Sequence, residues 1–220
     1  MLLQTKQLSK KYLGSQGRYA VKNADISLAS GETVGLFGES GSGKSTLGQM
    51  VAGLLKQTSG SILLDGKELG MPYRGEVRRR IQILFQHPET SFNPALILLK
   101  SMTEPYSLYS LPYSYEILLE NIAQYGLYDE HMHRTPSELS GGELQRAALA
   151  RILTIKPDVI ILDEPTSMLD VVTQAQIMHM LKDYQAAHNT AYLFISHNRT
   201  LCDRVCDRLY RVDDGGFTEE

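Results

Sequence analysis

Thiols are scarce in this chain: Cys202 and Cys206 are its only two cysteines in 220 residues. Two thiols four residues apart build no disulfide framework and, by themselves, no zinc site, so reduced thiols in a cytosolic setting are expected. Long apolar runs are missing as well. None approaches the ~20 residues that a membrane-spanning helix needs. The opening MLLQTKQLSKKY is too briefly apolar for a signal peptide. Nor is there an excess of positive charge. Lys and Arg number 22 against 25 Asp and Glu, a formal net charge of −3, so charge gives nucleic-acid binding no support. No internal repeat or low-complexity linker interrupts the chain. What remains is an ordinary soluble composition, 42% hydrophobic and 21% charged. The length suits one large domain, with or without an inserted subdomain.

Apolar patterning then divides the chain. ADISL (24–28) alternates as a half-buried strand does, and TVGLF (33–37) reads as a buried strand ending at Gly38. KSTLGQMVAGLL (44–55) places Leu47, Val51, Leu54 and Leu55 on one helical face. ILL (62–64) and IQILF (81–85) read as further strands. From about 94 to 155 the pattern is helical, clearest at 115–125 and 142–154. Strands return at DVIILD (158–163) and AYLFIS (191–196), with a helix at roughly 173–187 between them. An α/β core interrupted by a helical insert is expected.

GESGSGKS (38–45) fits G-x-x-x-x-G-K-[ST] at Gly38, Gly43, Lys44 and Ser45. At ordinary glycine usage a random match in this length arises about once in a hundred sequences. Here a strand precedes it and an amphipathic helix follows. Glycines let successive N–H groups converge on one anion, and the helix start adds partial positive charge. Lys44 would reach the β- and γ-phosphates, and the Ser45 hydroxyl would ligate Mg²⁺. VIILDEPTS (159–167) then delivers Asp163 and Glu164 at a strand's C-terminal end, where open α/β sheets bind ligands. Asp163 suits the shell of Mg²⁺, and Glu164 could polarise a water for in-line attack. His197, ending the next strand, could place a donor near the γ-phosphate.

A second glycine-rich helix start, LSGGELQRAALAR (139–151), contains no nucleophile and no metal cluster. With it the chain resembles the nucleotide-binding subunit of an ABC transporter over nearly its whole length. LSGGELQR resembles that family's signature motif, with Glu143 at a Gln-like fifth position. LFQHPETSFNP (84–94) resembles the Q-loop through Gln86. SMLD (167–170) resembles the D-loop, with Met168 where a small residue is usual. Tyr12 matches the aromatic that stacks on adenine, and Tyr19 is the alternative. The resemblance implies a P-loop NTPase (RecA-like) core at 1–86 and 156–220, with a mainly helical signature subdomain at 87–155. It implies ATP contacts at Tyr12, Gly38, Ser40, Gly41, Gly43, Lys44, Ser45, Thr46 and Gln86. Mg²⁺ is assigned to Ser45, Gln86 and Asp163, and catalysis to Glu164 and His197.

The resemblance further implies that two cassettes, identical or paralogous, close head to tail. Ser140, Gly141, Gly142 and Glu143 would then face the partner's ATP, with Asp170 at the dimer contact. The helix N-terminus at 140–142 suits an anion supplied from outside the chain. Two transmembrane permease subunits, and indirectly an extracytoplasmic solute-binding protein, complete the implied assembly at the cytoplasmic face of the membrane. The isolated chain is expected to be soluble. Pro94 suits a helix's first turn, and Ala95–Leu99 is apolar enough to leave some of it on an outer surface. Phe92 and Leu96 are the expected permease contacts. FQHPETSFNP resembles the oligopeptide and nickel importer branch. Because the chain ends 23 residues after His197, the shorter nickel or metal-chelate type is favoured. A phosphonate-related ATPase and a soluble, non-transport ABC ATPase are the alternatives.

Overall fold

The computed structural model describes residues 1–12, 17–167 and 169–220. Along the chain come β1 (Leu3–Lys11), β2 (Tyr19–Ala24), β3 (Ser27–Leu28), β4 (Thr33–Phe37), α1 (Lys44–Val51), β5 (Ser59–Leu64), β6 (Lys67–Glu68), α2 (Gly75–Arg80) and β7 (Ile81–Leu84). Then follow α3 (Leu98–Leu108), α4 (Tyr115–Ala123), α5 (Asp129–Met132), α6 (Gly141–Leu153), β8 (Val159–Asp163), α7 (Val171–His188), β9 (Ala191–Ser196), α8 (Arg199–Val205), β10 (Arg208–Asp213) and β11 (Gly216–Glu219).

Residues 1–83, 158–164 and 185–220 form one compact unit. Its larger sheet has the order β11-β10-β4-β9-β8-β7. β4 pairs parallel with both β9 and β10, and β8 pairs parallel with β9. Parallel strands covered on both faces read as continuous apolar runs. β8 and β9 are buried along their whole length, as VIILD and AYLFIS require. A second, antiparallel sheet has the order β2-β1-β5-β6, with β3 also on β1. Both sheets contribute to one core, in which Leu47, Met50 and Val51 of α1 are fully buried. Each such side chain contributes about 1.5–3 kcal/mol by leaving water. Gly48 allows the close approach: a Cβ there would stand 2.9 Å from Ile195 Cδ1 and 3.0 Å from Ile161 Cγ2. α1 ends at Val51, short of the expected 55. Leu54 is exposed rather than on the buried face. Gly53, with φ 72°, lies in the turn just beyond.

The other unit comprises residues 84–157 and 165–184. α6 is its axis, burying Leu144, Ala147, Ala148, Leu149 and Leu153. Met102 and Tyr106 of α3 and Leu118 and Ile122 of α4 are buried too, and Asn121 donates to the Tyr106 hydroxyl at 2.7 Å. Compared with the expected 87–155, this unit also takes 84–86, which includes Gln86, 156–157 and 165–184. The reason for the last is visible in its polar contacts: Gln145 donates to the Pro165 carbonyl at 2.8 Å, and the Tyr184 hydroxyl to the Leu153 carbonyl at 3.2 Å. Helix α3 begins at Leu98, not at Pro94, because Ile97 is extended, with ψ 152°. Phe92 is buried, contrary to its expected place on a docking surface; the Arg151 guanidinium lies 5.8 Å from its ring centre and donates to the Ser91 carbonyl. Leu96 is 43% exposed, as expected. Among the described residues no helix is long and apolar enough to cross a membrane.

Candidate functional site

Strand β4 delivers the chain into the 38–43 loop, and backbone packing fixes the loop's path. A Cβ on Gly38 would meet the Val212 carbonyl at 2.2 Å, and one on Gly43 the Ala20 carbonyl at 2.1 Å. The Gly215 amide donates to the Ser42 carbonyl at 3.0 Å, and Gly215 in turn accepts from Lys22 N–H at 2.8 Å. Both glycines also have φ values, 157° and 113°, in the region that favours glycine. So β2 and the β10–β11 turn clamp the loop while Ser40 and Gly41 stay exposed. Thr46 is half-buried in the first turn of α1.

Lys44 is only 6% exposed. Its ammonium donates to the carbonyls of Gly38 at 2.8 Å and Glu39 at 2.7 Å, and to the Ser42 hydroxyl at 3.3 Å. All three are neutral oxygens. Burial lowers its pKa, while the charges of Glu164 and Asp163 push the other way. A buried cation hydrogen-bonded only to neutral groups in an amide-lined loop suits an anionic ligand.

The Ser45 hydroxyl donates to Asp163 Oδ1 at 2.9 Å. Asp163 is 6% exposed. Burial raises its pKa first, the Ser45 hydrogen bond lowers it, the Glu164 charge raises it and Lys44 lowers it. A desolvated carboxylate beside a hydroxyl is an oxygen donor pair that fits Mg²⁺. Glu164 adopts φ +50°, which breaks the strand's alternation at about 1–3 kcal/mol. Its amide donates to the Ile195 carbonyl at 3.0 Å. Glu164 Oε1 accepts the His197 amide at 2.9 Å and lies 2.7 Å from His197 Nδ1. Thus Lys44, Ser45, Asp163, Glu164 and His197 gather at the C-terminal ends of β4, β8 and β9. Asn198 caps α8 through the Leu201 amide at 3.1 Å, and Arg199 lies 4.4 Å from the Phe37 ring centre. Neither residue was signalled by a motif. Tyr12 and Tyr19, at the ends of β1 and β2, are 43% and 39% exposed, with lysine ammoniums 5.4 and 5.6 Å from their ring centres.

In the second unit, Gln86 donates to the Ser167 hydroxyl at 3.3 Å. Ser140 caps α6: its hydroxyl accepts the Glu143 amide at 3.3 Å. Glu143 Oε2 reciprocates, accepting the Ser140 amide and hydroxyl, both at 2.8 Å. At the helix start expected to suit an outside anion, the Ser140 N–H is thus already taken by the capping box. Gly141 is exposed, with open space where a side chain would stand. Gly142 faces α7; a Cβ there would reach Thr173 Cγ2 at 3.0 Å. Asp170 begins α7, accepting from the amides of Val172 and Thr173 at 3.0 Å and from the Thr173 hydroxyl at 2.6 Å. Those hydrogen bonds, Thr173's foremost, hold Asp170 below its usual range. Met168 lies outside the described residues. Sequence reasoning missed His131, whose Nε2 lies 3.3 Å from Glu143 Oε1; nothing near it in the sequence marks it.

A sequence model described as ABC transporter matches residues 21–167. The uncharacterized ABC transporter ATP-binding protein YejF of Escherichia coli (strain K12) is 42% identical over 207 residues, 91% of this chain and 39% of YejF. The oligopeptide transport ATP-binding protein AppF of Bacillus subtilis (strain 168) is 40% identical over 197 residues, 86% of this chain and 60% of AppF. The chain thus spans less than two thirds of either relative. The dimeric structure of a post-hydrolysis state of the ATP-binding cassette MJ0796, bound to ADP and Pi, superposes with a TM-score of 0.86 at 30% identity, covering 100% of this chain and 98% of that one.

Proposed function

The chain belongs to the ABC transporter family, and on that premise we propose that it binds and hydrolyses ATP to drive the uptake of peptides. The observation that carries the reading is Lys44, buried among neutral oxygens within the same unit as the Ser45–Asp163 and Glu164–His197 pairs. AppF's name supports peptides over nickel or a metal chelate. The amides of 38–45 and Lys44 bind the triphosphate. Tyr12 or Tyr19 offers an exposed ring to the adenine. Ser45 and Asp163 would hold Mg²⁺, which would neutralise phosphate charge.

Glu164 orients and polarises the attacking water. His197 holds the Glu164 carboxylate through its amide and ring. With the Nδ1 proton directed at Glu164, Nε2 of the neutral ring is an acceptor. The ring donates to a phosphate oxygen only as an imidazolium, or after releasing Glu164. A second cassette presents its own Ser140–Gly142 helix start to this ATP, and this chain's helix start serves the partner's. Two permease subunits at the cytoplasmic face of a membrane receive the motion, with Leu96 at the exposed contact.

Glu164→Gln is the test. Hydrolysis is expected to fall about 10²-fold or more, as losing a general base does, while ATP titration stays near wild type. Near-normal turnover in this variant removes Glu164 from the catalytic role.

A further inference from the structure

The signature helix is tied to a buried histidine that no motif contains. His131 is 4% exposed, on the short helix α5. The Tyr128 amide lies 2.9 Å from its Nδ1. Nδ1 also lies 3.3 Å from the Tyr128 carbonyl, but the shorter contact is to the amide, which can only donate; with Nδ1 accepting there, the proton of the neutral ring sits on Nε2. That proton faces Glu143 Oε1 at 3.3 Å. The other carboxylate oxygen, Oε2, takes both the amide and the hydroxyl hydrogen of Ser140 at 2.8 Å. One chain of hydrogen bonds therefore runs from the Tyr128 backbone through His131 and Glu143 to Ser140.

We propose that His131 is a positioning residue for the α6 helix start: acting through Glu143, it fixes where the Ser140 hydroxyl hydrogen points and how close a carboxylate stands to the arriving anion. This rests on the reading of Ser140–Gly142 as the face presented to a partner's ATP. The hydrogen bonds from Ser140, then that from His131, hold Glu143 below the usual carboxylate range, so it is charged at neutral pH. A negative charge this near to an anion-binding helix start opposes the ligand. While Glu143 keeps the Ser140 hydrogen, that hydroxyl cannot donate to phosphate. The Nε2 proton of His131 draws the carboxylate toward the protein interior and disperses its charge. Losing that donor leaves the Glu143 side chain mobile, so its bonds to Ser140 form for less of the time and its charge ranges outward toward the anion.

Two substitutions separate this role from helix capping. The side-chain oxygen of His131→Asn can accept the Tyr128 amide as Nδ1 does, but the chain is too short to reach Glu143. The amide nitrogen of His131→Gln reaches the Nε2 position and keeps the donor, but gives up the cap. Amide hydrogen exchange in the nucleotide-free monomer is read at both Ser140 and Tyr128. His131→Asn is expected to speed exchange at Ser140 about fivefold to tenfold, the scale of one hydrogen bond. Exchange at Tyr128 should stay near wild type. His131→Gln should do the reverse. Unchanged Ser140 exchange in His131→Asn, or equal effects of the two variants at Ser140, overturns the proposal.

A second readout is ATP-driven dimerisation in the Glu164→Gln chain, followed by light scattering. His131→Asn is expected to raise the ATP concentration at half-dimerisation severalfold. His131→Gln should restore it, and neither should act once Glu143→Gln is present. An effect of His131→Asn that persists in the Glu143→Gln background counts against the proposal. If the Glu164→Gln chain with His131 and Glu143 intact forms no ATP dimer, a composite site between two copies of this chain fails. The exchange result then decides the role of His131 by itself.

Discussion

Burial takes Asp163 almost out of water, and its charge is held there at a cost. Its folded pKa is raised above the ordinary 3.8, chiefly by burial. The sign follows: the folded state binds that proton more tightly than the unfolded state, so the ionised group opposes folding at neutral pH and the opposition fades as pH falls through the raised pKa. Asp163→Asn is therefore expected to stabilise the nucleotide-free protein by about 1 kcal/mol, or roughly 2–4 °C in melting temperature for a chain of this size. The same change should abolish hydrolysis. Thermal melts with and without Mg-ATP measure both halves: the variant melts higher alone and gains less from Mg-ATP. A lower melting point without nucleotide would mean that the Ser45 and Lys44 interactions outweigh burial. Glu164 shows a related compromise at the backbone, since this non-glycine residue sits at φ +50°.

Among the elements, α6 depends on one carboxylate for its start. Glu143 sits below its ordinary value of 4.5 because Ser140 hydrogen-bonds to the ionised form. Its contribution is fully present above pH 4.5 and is lost as pH falls through the depressed folded pKa. Ser140 amide exchange, corrected for intrinsic rates, should therefore keep its protection through pH 4.5 and lose it only as pH falls through the depressed Glu143 pKa. Protection already lost above pH 4.5 argues against the capping box. Elements covered on both faces were legible in the sequence: TVGLF and AYLFIS become β4 and β9 at their expected limits. β1, LQTKQLSKK, was not, because its antiparallel sheet leaves Lys6, Gln7 and Lys11 exposed and its pattern broken. Pro94 suggested a helix start that the extended Ile97 postpones. The residues meeting at Lys44, Asp163, Glu164 and His197 were legible because each ends a buried strand or begins the helix after one. The clamp on the loop was not, because it consists of carbonyls and amides of Ala20, Val212 and Gly215, which carry no side-chain signature. His131 escaped notice for a different reason: a lone histidine reads the same whether it fills a core or holds a carboxylate.

For the whole molecule, the proposed head-to-tail pair makes a prediction that no single chain could meet. Lys44→Ala removes a cation from the loop, and Gly141→Asp adds a charge at the open helix start. Each variant alone should be inactive. Mixed dimers carry one site with both defects and one with neither. Random pairing should then recover up to about a quarter of wild-type activity, given the two-fold arrangement. ATPase assays across mixing ratios check this. No recovery at any ratio, with mixed dimers confirmed by mass, overturns the composite site. The clamp on the phosphate loop also carries a consequence for the order of synthesis. A ribosome finishes GESGSGKS by residue 45, yet the amide that holds Ser42 belongs to Gly215, about 170 residues later. At ~5–20 residues per second, roughly ten to thirty seconds pass between making the loop and completing its wall. During that interval the nascent chain has the motif without the clamp, so the proposed phosphate site is complete only when the β10–β11 hairpin folds back onto β2.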